Sequence, residues 1–162
     1  MIVICDSSSL INLSLINKLQ LLNEMYGEVL IPPGVYNEVV EVGAKRVGSN
    51  DVRNAGFIQI VALYDPNSVN DYIINPLSRT DAEVIALAKE QEADLIITRD
   101  KCLRRYARQE GLNVIHTLSF LIEAKHVGLI KAVKPLLDEM RSKGMLIREG
   151  IYQETLQRAN EL

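Results

Sequence analysis

The chain has 162 residues, of which 48% are hydrophobic and 24% are charged, and its formal net charge is −3 at pH 7. These values are typical of one folded domain with a substantial core, and they exclude general disorder. No apolar run approaches the ~20 residues that a membrane-spanning helix needs. The first residues also lack the basic start of a signal peptide, so we expect a cytoplasmic protein without membrane contact.

Short apolar runs alternate along the chain with amphipathic segments, and this alternation predicts an α/β protein with a parallel sheet. The apolar runs predict strands over 2–5, 29–31, 57–63, 94–98 and 114–115. Helical spacing of apolar residues predicts helices over 10–22, 33–40, 82–92, 101–110, 117–127, 131–143 and 151–160. A weak helix is expected within 43–56 and a polar connection over 64–79. Nothing indicates a linker, so residues 1–162 are predicted to form a single domain.

One helix start carries a recognisable local signal. Thr80 and Glu83 have the spacing of a capping box, in which a hydroxyl and a carboxylate satisfy backbone amides reciprocally. Glu83 is therefore expected to serve the start of the helix 82–92 rather than a ligand.

Four acidic residues stand out by their positions next to predicted strands and helices. Asp6 and Asp100 directly follow strands, Glu38 lies one turn into the helix after strand 29–31, and Asp81 opens the helix 82–92. Ligands of open α/β sheets bind just outside the carboxyl ends of the strands. We therefore expect these carboxylates to gather at one edge of the sheet.

Carboxylates that share a cleft repel one another, so they take up protons or bind a cation. An all-oxygen site suits Mg²⁺ or Mn²⁺, and such ions can activate water and stabilise a phosphodiester during in-line attack. Two simpler interpretations stay open. Asp81 and Asp100 could serve only the helix macrodipole, and Glu38 could be a solvated residue between the apolar positions Val35 and Val39.

A row of basic residues begins beside Asp100. Four of them share one helical face at positions i, i+3, i+4 and i+7, and Arg99 precedes them; the four are Lys101, Arg104, Arg105 and Arg108. A cationic row next to a carboxylate cluster is suited to a phosphate backbone. An ordinary solvated helix face is the competing interpretation.

Four segments, in this order, resemble the motifs of PIN domains. They are Asp6-Ser7-Ser8-Ser9-Leu10-Ile11, Ile31-Pro32-Pro33-Gly34-Val35-Tyr36-Asn37-Glu38-Val39, Asp81-Ala82-Glu83-Val84-Ile85-Ala86-Leu87-Ala88 and Ile97-Thr98-Arg99-Asp100. Residues 117–139 are further similar to a little-characterised prokaryotic subfamily. The likeness thus covers nearly the whole chain.

The resemblance implies a three-layer α/β/α sandwich with a central, mainly parallel sheet, and residues 117–162 would form a C-terminal helical extension on it. It implies an endoribonuclease that depends on Mg²⁺ or Mn²⁺, the toxin of a toxin–antitoxin pair, with RNA as substrate. A small antitoxin and a second copy in a homodimer would be its partners. The implied catalytic acids are Asp6, Glu38, Asp81 and Asp100. Ser8 would orient Asp6, Thr98 would support the Asp100 end of the site, and the basic residues would contact RNA.

Two departures from the subfamily pattern leave alternatives open. This chain has Thr80-Asp81 where the subfamily often has Gly-Glu, so the third metal ligand is either Asp81 or Glu83. Arg99 stands where an acid is common, and this leaves open whether one or two metal ions bind. The main rival to a nuclease is a non-catalytic PIN-fold protein that grips nucleic acid or a partner. An aspartyl-phosphate phosphatase is disfavoured, because that class needs an acid at the position of Ser8.

Overall fold

The central sheet of the computed structural model, which describes residues 1–74 and 76–162, has five parallel strands. Their spatial order is β3-β2-β1-β4-β5. The strands are β1 (Val3–Cys5), β2 (Val29–Ile31), β3 (Ile58–Ile60), β4 (Leu95–Ile97) and β5 (Val114–Ile115). The predicted α/β class with a parallel sheet is confirmed, and the predicted strand 57–63 is shorter than expected.

Helices connect the strands and cover both faces of the sheet, which makes the fold a three-layer sandwich. They are α1 (Ser7–Leu15), α2 (Gln20–Tyr26), α3 (Pro33–Tyr36), α4 (Ser49–Asn54), α5 (Arg79–Glu90), α6 (Lys101–Gln109), α7 (Thr117–His126), α8 (Lys134–Ser142) and α9 (Glu149–Arg158). No helix in 1–74 or 76–162 is long and apolar enough to cross a membrane.

Three predicted segments differ from the structure. The helix 10–22 is divided into α1 and α2, because Asn17 adopts a left-handed conformation with φ 54° between them. The predicted polar connection 64–79 contains a 3₁₀ helix, Pro66–Tyr72, and includes Asn75, which lies outside the described residues. The weak helix expected within 43–56 is the short α4.

The predicted capping box at Thr80 and Glu83 is wrong. Helix α5 begins three residues earlier than expected, and the hydroxyl of Ser78 accepts the backbone N–H of Asp81 at 3.0 Å. Ser78 is thus the N-cap, and Asp81 rather than Glu83 stands three residues after it.

A π-helix, Asn37–Val42, continues directly from α3. Its wider turn is closed by the backbone N–H of Gly43, which donates to the carbonyl of Glu38 at 3.1 Å. A Cβ at position 43 would lie 2.6 Å from the carbonyl oxygen of Val39, so glycine is required there. Such wide turns are often found at functional sites.

The strand order places a topological switch at the centre of the sheet. From β1 the chain proceeds to β2 and β3 on one side, and it then crosses to β4 and β5 on the other. Cys5 pairs with Ile97, so the next residues of the two strands, Asp6 and Thr98, lie side by side at the carboxyl edge. Ligands of open α/β sheets bind at such a switch.

The C-terminal helices share the main hydrophobic core with the sheet. Phe120 of α7 is fully buried, and its ring centroid lies 5.9 Å from that of Tyr26 in α2. Leu137 and Met140 of α8 and Leu156 of α9 belong to the same core cluster. Residues 117–162 therefore contribute to the core rather than resting on a finished one.

We expect Phe120→Ala to lower the free energy of unfolding by about 3–5 kcal/mol, because it removes a buried aromatic side chain and leaves a cavity. Urea denaturation followed by circular dichroism would measure the loss and show one transition for the whole chain. Val127→Ala, at a residue that is 61% exposed just after α7, is the control and should change stability little. Two separate transitions in Phe120→Ala would contradict a shared core.

Candidate active site at the carboxyl edge of the sheet

Asp6 and Asp100 are linked through the hydroxyl of Thr98. The hydroxyl donates to Asp6 Oδ2 at 2.5 Å and accepts the backbone N–H of Asp100 at 2.9 Å. Asp6 follows β1, while Thr98 and Asp100 follow β4, so the link joins the ends of two adjacent strands. Thr98 itself is fully buried, which fixes the position of its hydroxyl.

Asp6 is 2% exposed, and its carboxylate is surrounded by donors. Besides Thr98, the hydroxyl of Ser8 donates to Oδ2 at 2.8 Å and the backbone N–H of Ser9 donates to Oδ1 at 2.9 Å, which makes Asp6 the N-cap of α1. Burial raises the pKa of Asp6, and the hydrogen bonds oppose this shift. The donors therefore hold a buried carboxylate in one orientation.

Asp100 is exposed and caps α6. Its Oδ1 accepts the backbone N–H of Leu103 at 2.7 Å. One of the two carboxylate oxygens of Asp100 therefore serves the start of α6, as the simpler interpretation of this acid expected. Oδ2 makes no hydrogen bond within the described ranges, 1–74 and 76–162, and this leaves it free for a ligand.

Asp81 is half-buried on the first turn of α5 and senses the other three predicted acids. Its pKa is raised to about 6, first by burial and then by the negative charge of Asp100; Asp6 and Glu38 add to the shift, and the Ser78 hydrogen bond opposes it. The structure therefore brings Asp6, Glu38 and Asp100 near enough to Asp81 for their charges to act on it. Glu38 is exposed on the π-helix.

Glu83 lies on a different side of α5 from Asp81. Within residues 1–74 and 76–162 its buried Oε2 has no hydrogen-bond partner, and a Cβ added at Gly34 of α3 would overlap it. The absence of a side chain at Gly34 makes room for this carboxylate. Glu83 thus lies against α3, whereas the repulsion between acids acts on Asp81.

Within residues 1–74 and 76–162, no three His, Cys, Asp or Glu side chains lie close enough together to form a ready-made metal site. The chemistry of the donors nevertheless fits a hard divalent cation, because all are carboxylate oxygens and, beyond the effect of burial, the charges of the other acids raise the pKa of Asp81. A cation would remove that repulsion.

The predicted basic residues differ in their surroundings. Arg99 donates to the carbonyl of Leu146, and Arg104 donates to the carbonyl of Arg99 at 2.8 Å. The guanidinium of Arg105 lies 5.8 Å from the ring centre of its neighbour Tyr106. Lys101 and Arg108 are exposed. The row is therefore anchored to the protein at Arg99 and Arg104 and exposed at Lys101, Arg105 and Arg108.

Ser9 is a supporting residue that sequence reasoning missed. Its fully buried hydroxyl donates to the carbonyl of Ile97 at 2.8 Å and lies 3.0 Å from Thr117 Oγ1 at the start of α7. It therefore ties α1 to the end of β4. The run Ser7-Ser8-Ser9 could have indicated this role, because three hydroxyl side chains directly after a buried strand are expected to form hydrogen bonds there.

The sequence profile of a family described as "DUF3368: PIN domain" matches residues 2–161. No curated protein matches the chain. Among solved structures, the fold is similar to that of a PilT N-terminus domain protein, SSO1118, from the hyperthermophilic archaeon Sulfolobus solfataricus P2. That comparison has a TM-score of 0.58 and 20% sequence identity, and it covers 76% of this chain and 93% of the archaeal one.

The raised pKa of Asp81 makes a testable link between pH and stability. In the folded metal-free protein Asp81 keeps its proton up to a pH of about 6, whereas in the unfolded chain it loses the proton near 3.8. The stabilising contribution of protonated Asp81 is therefore complete below the pKa of the unfolded chain, near 3.8, and is lost as the pH rises through the pKa of the folded protein, about 6.

Asp81→Asn should remove this loss. The melting temperature of the variant minus that of wild type should rise between pH of about 4 and about 7 in metal-free protein. Differential scanning calorimetry at several pH values would measure it, with Glu24→Gln at an exposed residue of α2 as the control. A difference that does not change with pH would mean that burial and the neighbouring acids do not raise the pKa of Asp81.

Proposed function

The chain belongs to the PIN-domain family, whose members are commonly nucleases, and on that premise we propose that it is a metal-dependent endoribonuclease that hydrolyses phosphodiester bonds of RNA. The observation that carries the proposal is the Asp6–Thr98–Asp100 link at the switch of the sheet, with Asp81 in repulsion from both acids. Structural polar networks seldom hold like charges together, whereas hydrolytic metal sites require it.

In this proposal Asp6, Asp81 and Asp100 hold Mg²⁺ or Mn²⁺, directly or through its water molecules, and Glu38 acts with them. When bound there, such an ion would activate a water molecule and neutralise negative charge on the phosphodiester. The protein residues set the geometry. Both oxygens of Asp6 are held by hydrogen bonds from the hydroxyls of Ser8 and Thr98 and from the backbone amide of Ser9. The same Thr98 hydroxyl also accepts the backbone N–H of Asp100.

Of the two candidates for the third metal ligand, Asp81 and Glu83, we propose Asp81 because of the surroundings of its carboxylate. Asp81 senses the charges of the other acids, while Glu83 Oε2 is enclosed beside Gly34. Glu83 would join the site only after rotating away from α3. We therefore propose that Glu83 lies next to the metal site and is not the third ligand.

Substrate binding is proposed to involve the basic residues at the start of α6. Lys101 directly follows the proposed metal ligand Asp100, and the negative charge of Asp100 acts on Arg104. A phosphate group bound to these residues would lie next to the acids. Arg99, Arg105 and Arg108 extend the same positive region.

The role of toxin, with a small antitoxin as inhibitor and a homodimer as the active form, is a further part of the proposal. Inducing wild type and Asp100→Asn in bacterial cells would test the toxin role, since only wild type should arrest growth. Light scattering on the purified protein would test the homodimer. The alternative, a non-catalytic nucleic-acid binder, predicts RNA binding without cleavage and no dependence on divalent metal.

We expect Asp6→Asn, Asp81→Asn and Asp100→Asn each to lower Mn²⁺-dependent cleavage of single-stranded RNA by about a hundredfold or more, because each removes a charge that the cation needs. Calorimetry should show weaker Mn²⁺ binding in the same variants. Glu83→Gln should cost less than Asp81→Asn, and Glu24→Gln is the matched control. Cleavage that persists in a metal chelator, or that survives Asp100→Asn, would overturn the proposal.

A further inference from the structure

A cleft of about 480 Å³ lies at the β5 edge of the sheet. Strand β5 and His116 line it together with α6, the start of α7 and α9. Three arginines face it: Arg104 and Arg108 from α6 and Arg158 from α9. None of the three forms a salt bridge within residues 1–74 and 76–162.

We propose that this cleft binds a phosphodiester of the RNA strand outside the scissile bond, and that α9 of the C-terminal extension supplies the distal contact through Arg158. The inference rests on the proposed function, because it names where the substrate strand runs after leaving the acids. It adds Arg158 and His116 to the binding surface, and neither belongs to the basic row at the start of α6.

The cleft and the acidic site lie at the same edge of the sheet. Arg104 lines the cleft, and the charges of Arg108 and Asp100 both act on its guanidinium. His116 follows β5 and therefore lies at the same edge of the sheet as Asp6 and Asp100. A strand bound at Asp100 can thus extend along the arginines without leaving the surface.

The orientations of two side chains suit an anion. The guanidinium of Arg158 donates to the hydroxyl of Ser119 at 3.1 Å through one nitrogen, which directs it while leaving its other donors available. Nδ1 of His116 accepts the backbone N–H of Leu118 at 3.0 Å, so the proton of the neutral ring is on Nε2. Burial and the nearby arginines Arg104, Arg99 and Arg158 lower the pKa of His116 to about 4. His116 is therefore a neutral donor at physiological pH.

The charge balance of the cleft favours one phosphodiester over a free polyphosphate. Glu123 and Glu154 also line it, so the excess positive charge over the whole cleft is small. A nucleoside triphosphate would place several negative charges near these carboxylates, whereas one bridging phosphate carries a single charge. The volume is within the range of pockets for small ligands and holds about one nucleotide.

The test measures binding without cleavage. Fluorescence anisotropy in a metal chelator would follow labelled single-stranded RNA of about 12 nucleotides, a length within the site size of single-strand-binding folds. Arg158→Gln and Arg108→Gln should each weaken binding about tenfold, the effect of losing a hydrogen bond to a charged group. Each should also reduce the slope of log Kd against log salt by about 0.7, the value for one phosphate contact on a single strand.

Two controls separate the cleft from general charge and from the acidic site. Arg148→Gln removes an exposed arginine at the start of the same helix, α9, outside the cleft, and should change binding less than twofold. An RNA of about three nucleotides should not reach α9, so Arg158→Gln should leave its binding unchanged. Inorganic phosphate and ATP should compete only weakly with the long RNA.

Several results would overturn the cleft as an RNA site. They are a wild type that does not bind the long RNA, unchanged binding in both cleft variants, an equal loss in Arg148→Gln, or strong competition by ATP. Failure of the nuclease proposal is distinguishable. If RNA binding depends on the cleft but no metal-dependent cleavage occurs, the nuclease proposal fails and the cleft proposal stands. If RNA is cleaved but the cleft variants bind it as wild type does, the cleft proposal fails and the nuclease proposal stands.

Discussion

A carboxylate placed at the end of a buried strand must find donors, and the way Asp6 does so organises the whole edge of the sheet. Its three donors are the hydroxyls of Ser8 and Thr98 and the amide of Ser9, and Thr98 belongs to a different strand. The pairing of Cys5 with Ile97 is what brings Thr98 into reach. One buried carboxylate therefore links the ends of two strands, the start of α1 and, through Thr98, the backbone of Asp100.

This dependence explains why the acidic side chains differ in their roles. Three hydrogen bonds fix the orientation of the Asp6 carboxylate, Asp100 keeps Oδ2 available within residues 1–74 and 76–162, and burial and the other acids raise the pKa of Asp81. On the other side of Asp100, the arginines form a region of opposite charge. The site is thus a boundary between an acidic and a basic region, and such a boundary suits a cation and a phosphate bound next to each other.

Sequence reasoning could locate the acids because parallel strands end at a common edge, so Asp6 and Asp100 needed only the strands to be recognised. It failed at Ser78, because Ser78–Asp81 and Thr80–Glu83 have the same spacing and only the preceding backbone decides between them. It could not find the cleft. Arg158 lies 42 residues after His116 and 39 residues after Ser119 in the chain, and tertiary packing alone brings them together.

The π-helix Asn37–Val42 has a consequence for reading relatives of this protein. Each of its hydrogen bonds spans five residues, one more than in an α-helix, so the segment contains a residue that an α-helical relative would lack. An alignment would show that difference as a one-residue gap shortly after the second acidic position. Such a gap would record a change of helix type, and β2 and β3 on either side are the proper anchors for comparing the two chains.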